Sequence, residues 1–262
     1  MSVPLILSNS FPHLLFWQVG RIMEKSDRGG AAMLKAIIFD AYGTLLCTGT
    51  GSVDAAGEIL AKNGRQDISP SGFYARWKQL HQRHMDSGGP FLTEEAIYHL
   101  DLRALYKEYG IEGEPDQDVE IMLGILGCRR PYPEAKAVLE ALEKRVPLYI
   151  GSITDTAPLQ QDLRRGGLPM KKLFTSESLR CYKPAPRFYT EILRQLGLRP
   201  QEALFVGDSL TNDVAGPQAA GIPACWVNRK EEHPGDFVPR YTVSDLTGLL
   251  PIAESLLGGE SL

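Results

Sequence analysis

An aspartate at the end of a short apolar run is the first residue whose position suggests chemistry. Ala36–Phe39 is an apolar run with β-branched content, and Asp40 follows it directly. Ligands of open parallel sheets bind at the carboxyl ends of the strands, so Asp40 is expected to face such a site. Gly43 permits a tight turn there, and the Thr44 hydroxyl can hydrogen-bond a carboxylate or a bound oxyanion. An aspartate that only caps a turn is the alternative.

Two more aspartates follow a second apolar run. Asp208 follows the run Ala203–Val206 after one glycine, Gly207, and Asp213 lies at a predicted helix start. If both carboxylates converge with Asp40 at one edge of a sheet, they repel each other unless a cation lies between them. A hard divalent ion such as Mg²⁺ prefers carboxylate and water oxygens. Helix capping is the alternative role, and it suits Asp213 better than Asp208.

A serine and a lysine could hold the anion on which a carboxylate acts. Ser152 closes the apolar run Pro147–Ile150 and can donate its hydroxyl to a phosphate or an oxyanion, although a lone serine there is also typical of a helix N-cap. Lys183 precedes a proline and a predicted helix. Its charge could neutralise a carboxylate nucleophile and a bound anion together, whereas a lysine in that position is otherwise usually a solvated loop residue.

These residues lie on a chain in which apolar runs alternate with helical stretches. The runs are continuous, as expected for strands of a parallel sheet that helices cover on both faces. The alternation predicts an α/β fold with a doubly wound parallel sheet. The predicted strands are Ala36–Phe39, Pro147–Ile150, Lys172–Thr175, Ala203–Val206, Pro223–Val227 and a last short one at Tyr241–Val243. The predicted helices between them are Pro133–Arg145, Ala157–Gly166, Ala185–Leu196 and Asn212–Ala220.

One region breaks this alternation. From Ser52 to Leu126 only helical patterns occur, among them Phe73–Met85 and Glu94–Tyr109. Because this region follows the first strand directly, it predicts an all-helical domain inserted into the α/β core. The predicted boundaries are 1–32 for an N-terminal extension, 33–50 and 128–262 for the core, and 51–127 for the helical insertion.

Composition limits the classes of partner. A net charge of −4 provides no basic field for nucleic acid, so an anionic substrate needs a local positive site. The 4 cysteines form no CxxC pair, which is typical of reduced thiols in a cytoplasm rather than of a disulfide framework. No stretch approaches the ~20 apolar residues of a membrane-spanning helix. We expect a cytoplasmic protein with a small anionic substrate and no nucleic-acid or membrane partner; a homodimer stays open.

Taken in order, these motifs resemble those of the haloacid dehalogenase superfamily. They are Asp-x-x-x-Thr beginning at Asp40, a serine at a strand end, a lysine, and Gly-Asp-Ser followed by a later aspartate, over about Met33 to Leu250. The resemblance implies that Asp40 is the nucleophile and that Ser152 and Lys183 hold the reacting anion. It also implies that Asp208 takes part in metal binding. The helical insertion would be the family's cap, which excludes water and contacts the substrate.

The first motif departs from the phosphatase branch of the superfamily at Tyr42. Phosphatases usually carry a second aspartate there, which serves as general acid and base. A phenol with a pKa of about 10 is a poor substitute at neutral pH. The motif instead resembles that of L-2-haloacid dehalogenases, which displace halide with the aspartate and use no metal. Their substrate-facing cap arginine corresponds to Arg76 here, for which a solvated helix charge is the alternative.

Two other positions depart from the dehalogenase branch. Ile153 stands where that branch commonly has asparagine, and Asp208 stands where it has a small polar residue. Without a cation, carboxylates retained beside the nucleophile would raise one another's pKa values. In the superfamily, magnesium is held by the nucleophile, by the backbone carbonyl two residues on and by the later aspartate. The corresponding candidate ligands here are Asp40, the Tyr42 carbonyl, Asp208 and Asp213.

The motifs together favour a Mg²⁺-dependent phosphohydrolase of a small phosphorylated metabolite over metal-independent hydrolysis of a carbon–halogen bond. The predicted substrate-binding residues are Thr44, Tyr42 and Arg76. Phosphonate cleavage is a third alternative. The superfamily branch that cleaves phosphonates also lacks the general-acid aspartate, but it needs a particular lysine of the cap, for which Lys62 is the candidate. A non-catalytic binding module is a fourth, motivated by the missing acid at position 42.

Overall fold

The structure, a computed structural model, describes residues 33–258, and the predicted N-terminal extension over residues 1–32 lies outside the described residues. The strands are β1 (Ala36–Phe39), β2 (Leu46–Cys47), β3 (Arg130–Pro131), β4 (Leu148–Ser152), β5 (Lys172–Thr175), β6 (Ala203–Gly207), β7 (Ala224–Val227) and β8 (Tyr241–Val243). The α-helices are α1 (Gly51–Lys62), α2 (Pro70–Asp86), α3 (Glu94–Tyr109), α4 (Pro115–Leu123), α5 (Ala135–Leu142), α6 (Thr156–Gly166), α7 (Ser176–Leu179), α8 (Pro186–Leu196), α9 (Gly216–Ala219) and α10 (Leu249–Leu256). Short 3₁₀ turns occupy Pro200–Glu202 and Leu246–Gly248, and a π-helix occupies Leu210–Ala215.

A six-stranded parallel sheet forms the centre of the fold, in the order β5-β4-β1-β6-β7-β8. Strand β1 is central and fully buried. Its alternate residues belong to two separate apolar clusters, with Ile37 and Phe39 in one and Ala36 and Ile38 in the other. Since successive side chains of a strand point to opposite faces, both faces of the sheet are covered. The predicted doubly wound α/β fold is therefore confirmed.

The strand ends differ from the predicted ones in a way that bears on the site. Strand β4 continues to Ser152 and β6 continues to Gly207, beyond their predicted ends. The predicted helix Asn212–Ala220 is wrong at its start. Helical structure begins at Leu210, because the Ser209 side chain accepts a hydrogen bond from the Asn212 backbone N–H at 3.2 Å, and the first segment is a π-helix.

A two-stranded antiparallel ribbon, which the sequence patterns did not predict, joins the two ends of the helical insertion. Strand β2 pairs with β3. The Arg129 guanidinium donates to the Thr48 carbonyl and, at 2.9 Å, to the Ser52 hydroxyl. The insertion thus leaves and re-enters the core at one place. Strands of two residues, one of them containing a proline, are too short to give an apolar pattern.

Helices α1 to α4 bury an apolar cluster of their own, which includes Phe73, Trp77 and Leu102. The Thr93 side chain caps the start of α3, and Gly110 ends that helix in the left-handed region at φ 61°. The helical patterns predicted over Phe73–Met85 and Glu94–Tyr109 are confirmed as helices. Among the described residues, no helix is both long enough and apolar enough to cross a membrane.

The separate core of the insertion can be tested with two leucines of α3. Leu102 is fully buried, whereas Leu100 keeps 38% of its surface exposed. We expect Leu102→Ala to lower the free energy of unfolding by about 2–5 kcal/mol, since it leaves a cavity in the apolar cluster. The matched control Leu100→Ala should change it by less than about 0.5 kcal/mol. Equal urea midpoints for the two variants would contradict this packing.

Candidate active site

Three neighbouring strands bring the polar residues of the predicted site to one edge of the sheet. Asp40 follows β1, Ser152 ends β4 and Asp208 follows β6, and β1 lies between the other two strands. The hydrogen bonds between β1 and β6 continue to Asp40, whose backbone N–H donates to the Val206 carbonyl at 2.8 Å. All three side chains therefore leave the carboxyl ends of adjacent parallel strands, as the sequence predicts.

A buried lysine links two of the aspartates. The ammonium group of Lys183 lies 2.7 Å from Oδ1 of Asp40 and 2.8 Å from Oδ1 of Asp213. The Ser152 hydroxyl donates to the same Oδ1 of Asp40 at 3.3 Å. Burial alone would lower the pKa of Lys183, but the charges of Asp213 and Asp40 outweigh burial and raise it. Lys183 is therefore a charged group that fixes one oxygen of Asp40.

Three carboxylates lie close together, and the lysine pairs with two of them. Asp40, Asp208 and Asp213 each offer an oxygen, and these oxygens lie within 4.8 Å of one another. Within the described residues, these carboxylates form two ion pairs, and both are with Lys183. The Asp208 carboxylate accepts a hydroxyl hydrogen bond from Thr44 at 3.2 Å and has no cationic partner among the described residues. Burial, with the charge of Asp40, raises the pKa of Asp208 to about 6. The excess negative charge fits a divalent cation.

The third carboxylate of the group is held on both of its oxygens. Oδ1 of Asp213 accepts from Lys183, and Oδ2 accepts from the backbone N–H of Ser209 at 2.9 Å. Burial raises the pKa of Asp213, and the charge of Lys183 opposes that effect. Asp213 therefore orients the lysine and the turn after β6, and its two hydrogen bonds leave it less open to an ion than Asp208.

Two glycines permit the carboxylates to approach the backbone. A Cβ atom on Gly43, whose φ is +94°, would lie 2.4 Å from Oδ2 of Asp208. A Cβ atom on Gly207 would lie 2.3 Å from the Asp213 carboxyl carbon. Any other residue at either position would displace a carboxylate. The sequence identified Gly43 as a turn residue, whereas the role of Gly207 has no local signal, since it depends on a side chain six residues later.

Tyr42 directs its hydroxyl group away from the three carboxylates. The phenol donates to Oδ2 of Asp162 on α6 at 2.9 Å, and the backbone N–H of Arg129 donates to the other oxygen of Asp162 at 2.6 Å. Burial and then the Asp162 charge raise the pKa of Tyr42 far above its ordinary value. Its one donor proton is engaged by Asp162, and the roles of Tyr42 as a substrate contact and, through its backbone carbonyl, as a metal ligand stay predictions.

Two basic residues of the insertion are engaged elsewhere. Arg76 makes a bidentate ion pair with Glu108 of α3, at 2.7 and 2.8 Å, and none of the hydrogen bonds of the three carboxylates involves it. The role of Arg76 as a substrate contact stays a prediction. Lys62 forms an ion pair with the buried Asp118 inside the insertion. The alternative role of Lys62 in phosphonate cleavage likewise stays a prediction.

Other residues dock the start of α3 on the loops of the core, and sequence patterns did not identify them. The Asp155 carboxylate, just after β4, accepts the backbone N–H groups of Glu94 and Glu95 at 2.9 and 3.0 Å. The Tyr182 hydroxyl, next to Lys183, donates to the Leu92 carbonyl at 2.6 Å. The insertion therefore contacts the two loops that carry the residues around Asp40.

An aspartate, a lysine and further carboxylates at the carboxyl ends of parallel strands define a class of hydrolases. The chain belongs to the haloacid dehalogenase-like hydrolase family, whose model matches residues 34–221. Phosphoserine phosphatase of Thermus thermophilus is 28% identical over 85% of this chain and 100% of that protein. Haloacetate dehalogenase H-2 of a Moraxella species is 32% identical over 75% of this chain and 86% of that protein. The solved structure of the HAD-hydrolase YfnB of Bacillus subtilis bound to magnesium superposes with a TM-score of 0.72 and 23% identity, covering 85% and 99% of the two chains.

The buried lysine gives a stability test of the site. We expect Lys183→Met to lower the free energy of unfolding by about 3–5 kcal/mol, because it leaves buried carboxylates without their cation. The control Lys136→Met removes a 3.9 Å ion pair whose lysine is 57% exposed, and its effect on a urea denaturation curve should be small. A Lys183→Met protein as stable as the control would show that the ion pairs around Asp40 do not hold the site together.

Proposed function

We propose that the protein is a Mg²⁺-dependent phosphohydrolase of a small phosphorylated metabolite, with Asp40 as the nucleophile and the helical insertion as its cap. The observation that carries this proposal is the group of three carboxylates around one lysine. A dehalogenase that uses no metal has no need of the additional negative charge of Asp208. The phosphatases among the relatives, which include the phosphoserine phosphatase, support the same choice.

The donor set fits magnesium. Asp40 and Asp208 with the Tyr42 carbonyl would hold the ion, and Asp213 would add charge while it orients Lys183. Magnesium commonly keeps several water ligands and one or two carboxylates, so a full protein cage is not required. When bound, the ion would neutralise negative charge on the transferring phosphoryl group and on the carboxylates.

Within the chain, the hydrogen bonds of Asp40 select the attacking atom. Lys183 and Ser152 both contact Oδ1, which leaves Oδ2 for attack on phosphorus. Attack forms an aspartyl phosphate and breaks the bond to the leaving oxygen; water then cleaves the aspartyl phosphate and releases inorganic phosphate. The cation of Lys183 and the Ser152 hydroxyl would also stabilise charge on the phosphoryl oxygens.

A second candidate is dehalogenase-like hydrolysis of a carbon–halogen bond. The haloacetate dehalogenase relative and the missing acid at position 42 favour it, because a halide leaves without a proton. In that reaction Asp40 would attack carbon, form an ester and release halide, after which water would cleave the ester. Asp208 and its raised pKa would then have no role.

An activity panel separates the two chemistries. We expect purified protein to hydrolyse p-nitrophenyl phosphate and acetyl phosphate with Mg²⁺, because these leaving groups least need an acid, and to lose that activity in EDTA. L-2-chloropropionate should release no chloride. The readouts are nitrophenolate absorbance, released phosphate and released chloride. Chloride release that is indifferent to EDTA would overturn the phosphohydrolase in favour of the second candidate.

The control variant for this panel replaces the proposed nucleophile, Asp40. Asp40→Asn should lower every activity by on the order of a thousandfold or more, since either chemistry needs the carboxylate. Asp54→Asn, an exposed aspartate near the start of α1, should leave the activities unchanged. Activity that survives in Asp40→Asn would refute both candidates or reveal a contaminating hydrolase.

A further inference from the structure

A cavity of about 300 Å³ lies between the helical insertion and the core. Ile153 and Asn212 form its core side, and they are the sequence neighbours of Ser152 and Asp213. Trp77, His81, Glu94 and Tyr98 are among the residues that line it from α2 and α3. Because the cavity adjoins the two loops that bracket Asp40, the group released from a substrate held by Ser152 and Lys183 would lie in it.

The Glu94 carboxyl is fixed at the wall of this cavity by the core. Its Oε2 accepts the Thr154 hydroxyl at 2.9 Å, and Thr154 is two residues beyond Ser152. Its Oε1 has only a long contact, at 3.4 Å, with the hydroxyl of Tyr98. The backbone N–H of Glu94 is held by Asp155. One carboxyl oxygen is thus anchored and the other is available to a molecule in the cavity.

Opposing effects act on the pKa of the Glu94 carboxyl, and their net result raises it. Burial raises its pKa, and the nearby Asp155 charge acts in the same direction, whereas His81 and the Thr154 hydrogen bond oppose them. Tyr98 on α3 and Tyr42 after β1 also face the Glu94 carboxyl, and burial raises the pKa of each phenol. Lys78 and Tyr74 on α2 line the same cavity.

A histidine beside Glu94 is itself held in place. Nδ1 of His81 lies 3.2 Å from Oδ2 of the fully buried Asp101, and the His81 ring lies 5.1 Å from the ring of Tyr98. This contact leaves Nε2 as the ring nitrogen available to the cavity. His81 is therefore held in a fixed orientation at the wall of the cavity.

We propose that Glu94 is a catalytic residue that exchanges a proton with the leaving group, in the role of the aspartate that Tyr42 replaces; this rests on the proposed phosphohydrolase function. As Oδ2 of Asp40 forms its bond to phosphorus, the bond from phosphorus to the leaving oxygen breaks and Glu94 gives its proton to that oxygen. The Glu94 carboxylate then takes a proton from the water that cleaves the aspartyl phosphate, and phosphate leaves. The preferred substrates are therefore phosphate esters of alcohols rather than only activated phosphates.

Leaving-group dependence tests the proposal. Phenyl phosphate needs its leaving oxygen protonated, whereas p-nitrophenyl phosphate needs this far less. Glu94→Gln should lower kcat/KM for phenyl phosphate by about 10²–10⁴-fold and for p-nitrophenyl phosphate by less than about tenfold. Glu95→Gln, at the exposed neighbouring position of α3, is the matched control and should change neither value. In the unaltered protein, kcat/KM for phenyl phosphate should fall as pH rises through the pKa of Glu94, and Glu94→Gln should lose that limb.

The outcomes separate the two proposals. An equal loss on both substrates, or no loss on either, overturns the role of Glu94 while Mg²⁺-dependent hydrolysis of p-nitrophenyl phosphate still supports the phosphohydrolase. No such hydrolysis by the unaltered protein overturns the phosphohydrolase and the role of Glu94 with it. If Glu94→Gln does not fold, Thr154→Val, which removes the anchoring hydroxyl, should show the same selective loss on phenyl phosphate to a smaller extent; an unselective effect would again overturn the proposal.

Discussion

The site depends on one buried ammonium group shared by two carboxylates. Lys183 is removed from water, which is costly for a charge, and its close contacts with Asp40 and Asp213 offset that cost. The same contacts fix one oxygen of Asp40 and hold the turn after β6. They also leave Asp208 without a cation of its own. The negative charge of the site, on which the proposed metal and phosphoryl chemistry rests, follows from this arrangement.

The sequence predicted the fold and the nucleophile's neighbours because their signals are local. Buried parallel strands are continuous apolar runs, and a polar residue directly after such a run, or one glycine later, lies at the carboxyl edge of the sheet. Asp40, Ser152 and Asp208 each met that criterion, and the structure brings them together. Lys183 could be added only through the order of the motifs, since a lysine before a proline has no pattern of its own.

The remaining features depend on contacts between distant parts of the chain. Tyr42 donates a hydrogen bond to Asp162, which lies 120 residues later in the chain, and no local sequence pattern predicts that bond. Arg76 follows a family pattern, yet Glu108 on the next helix neutralises it. Glu94 reads as an ordinary acidic residue in the first turn of a helix, where it suits the helix dipole. Only the packing of that helix against the loop after β4 places its carboxyl in contact with Thr154.

The central claim is that the Asp40 carboxylate becomes phosphorylated during turnover. Borohydride reduces an acyl phosphate to an alcohol, so protein quenched with borohydride while it hydrolyses p-nitrophenyl phosphate should carry that change in the peptide that contains Asp40. Mass spectrometry of the digested protein should find the change at Asp40 and not at Asp208 or Asp213, and only when Mg²⁺ and substrate are both present. An unchanged Asp40 under active turnover, or reduction at another carboxylate, would contradict the account.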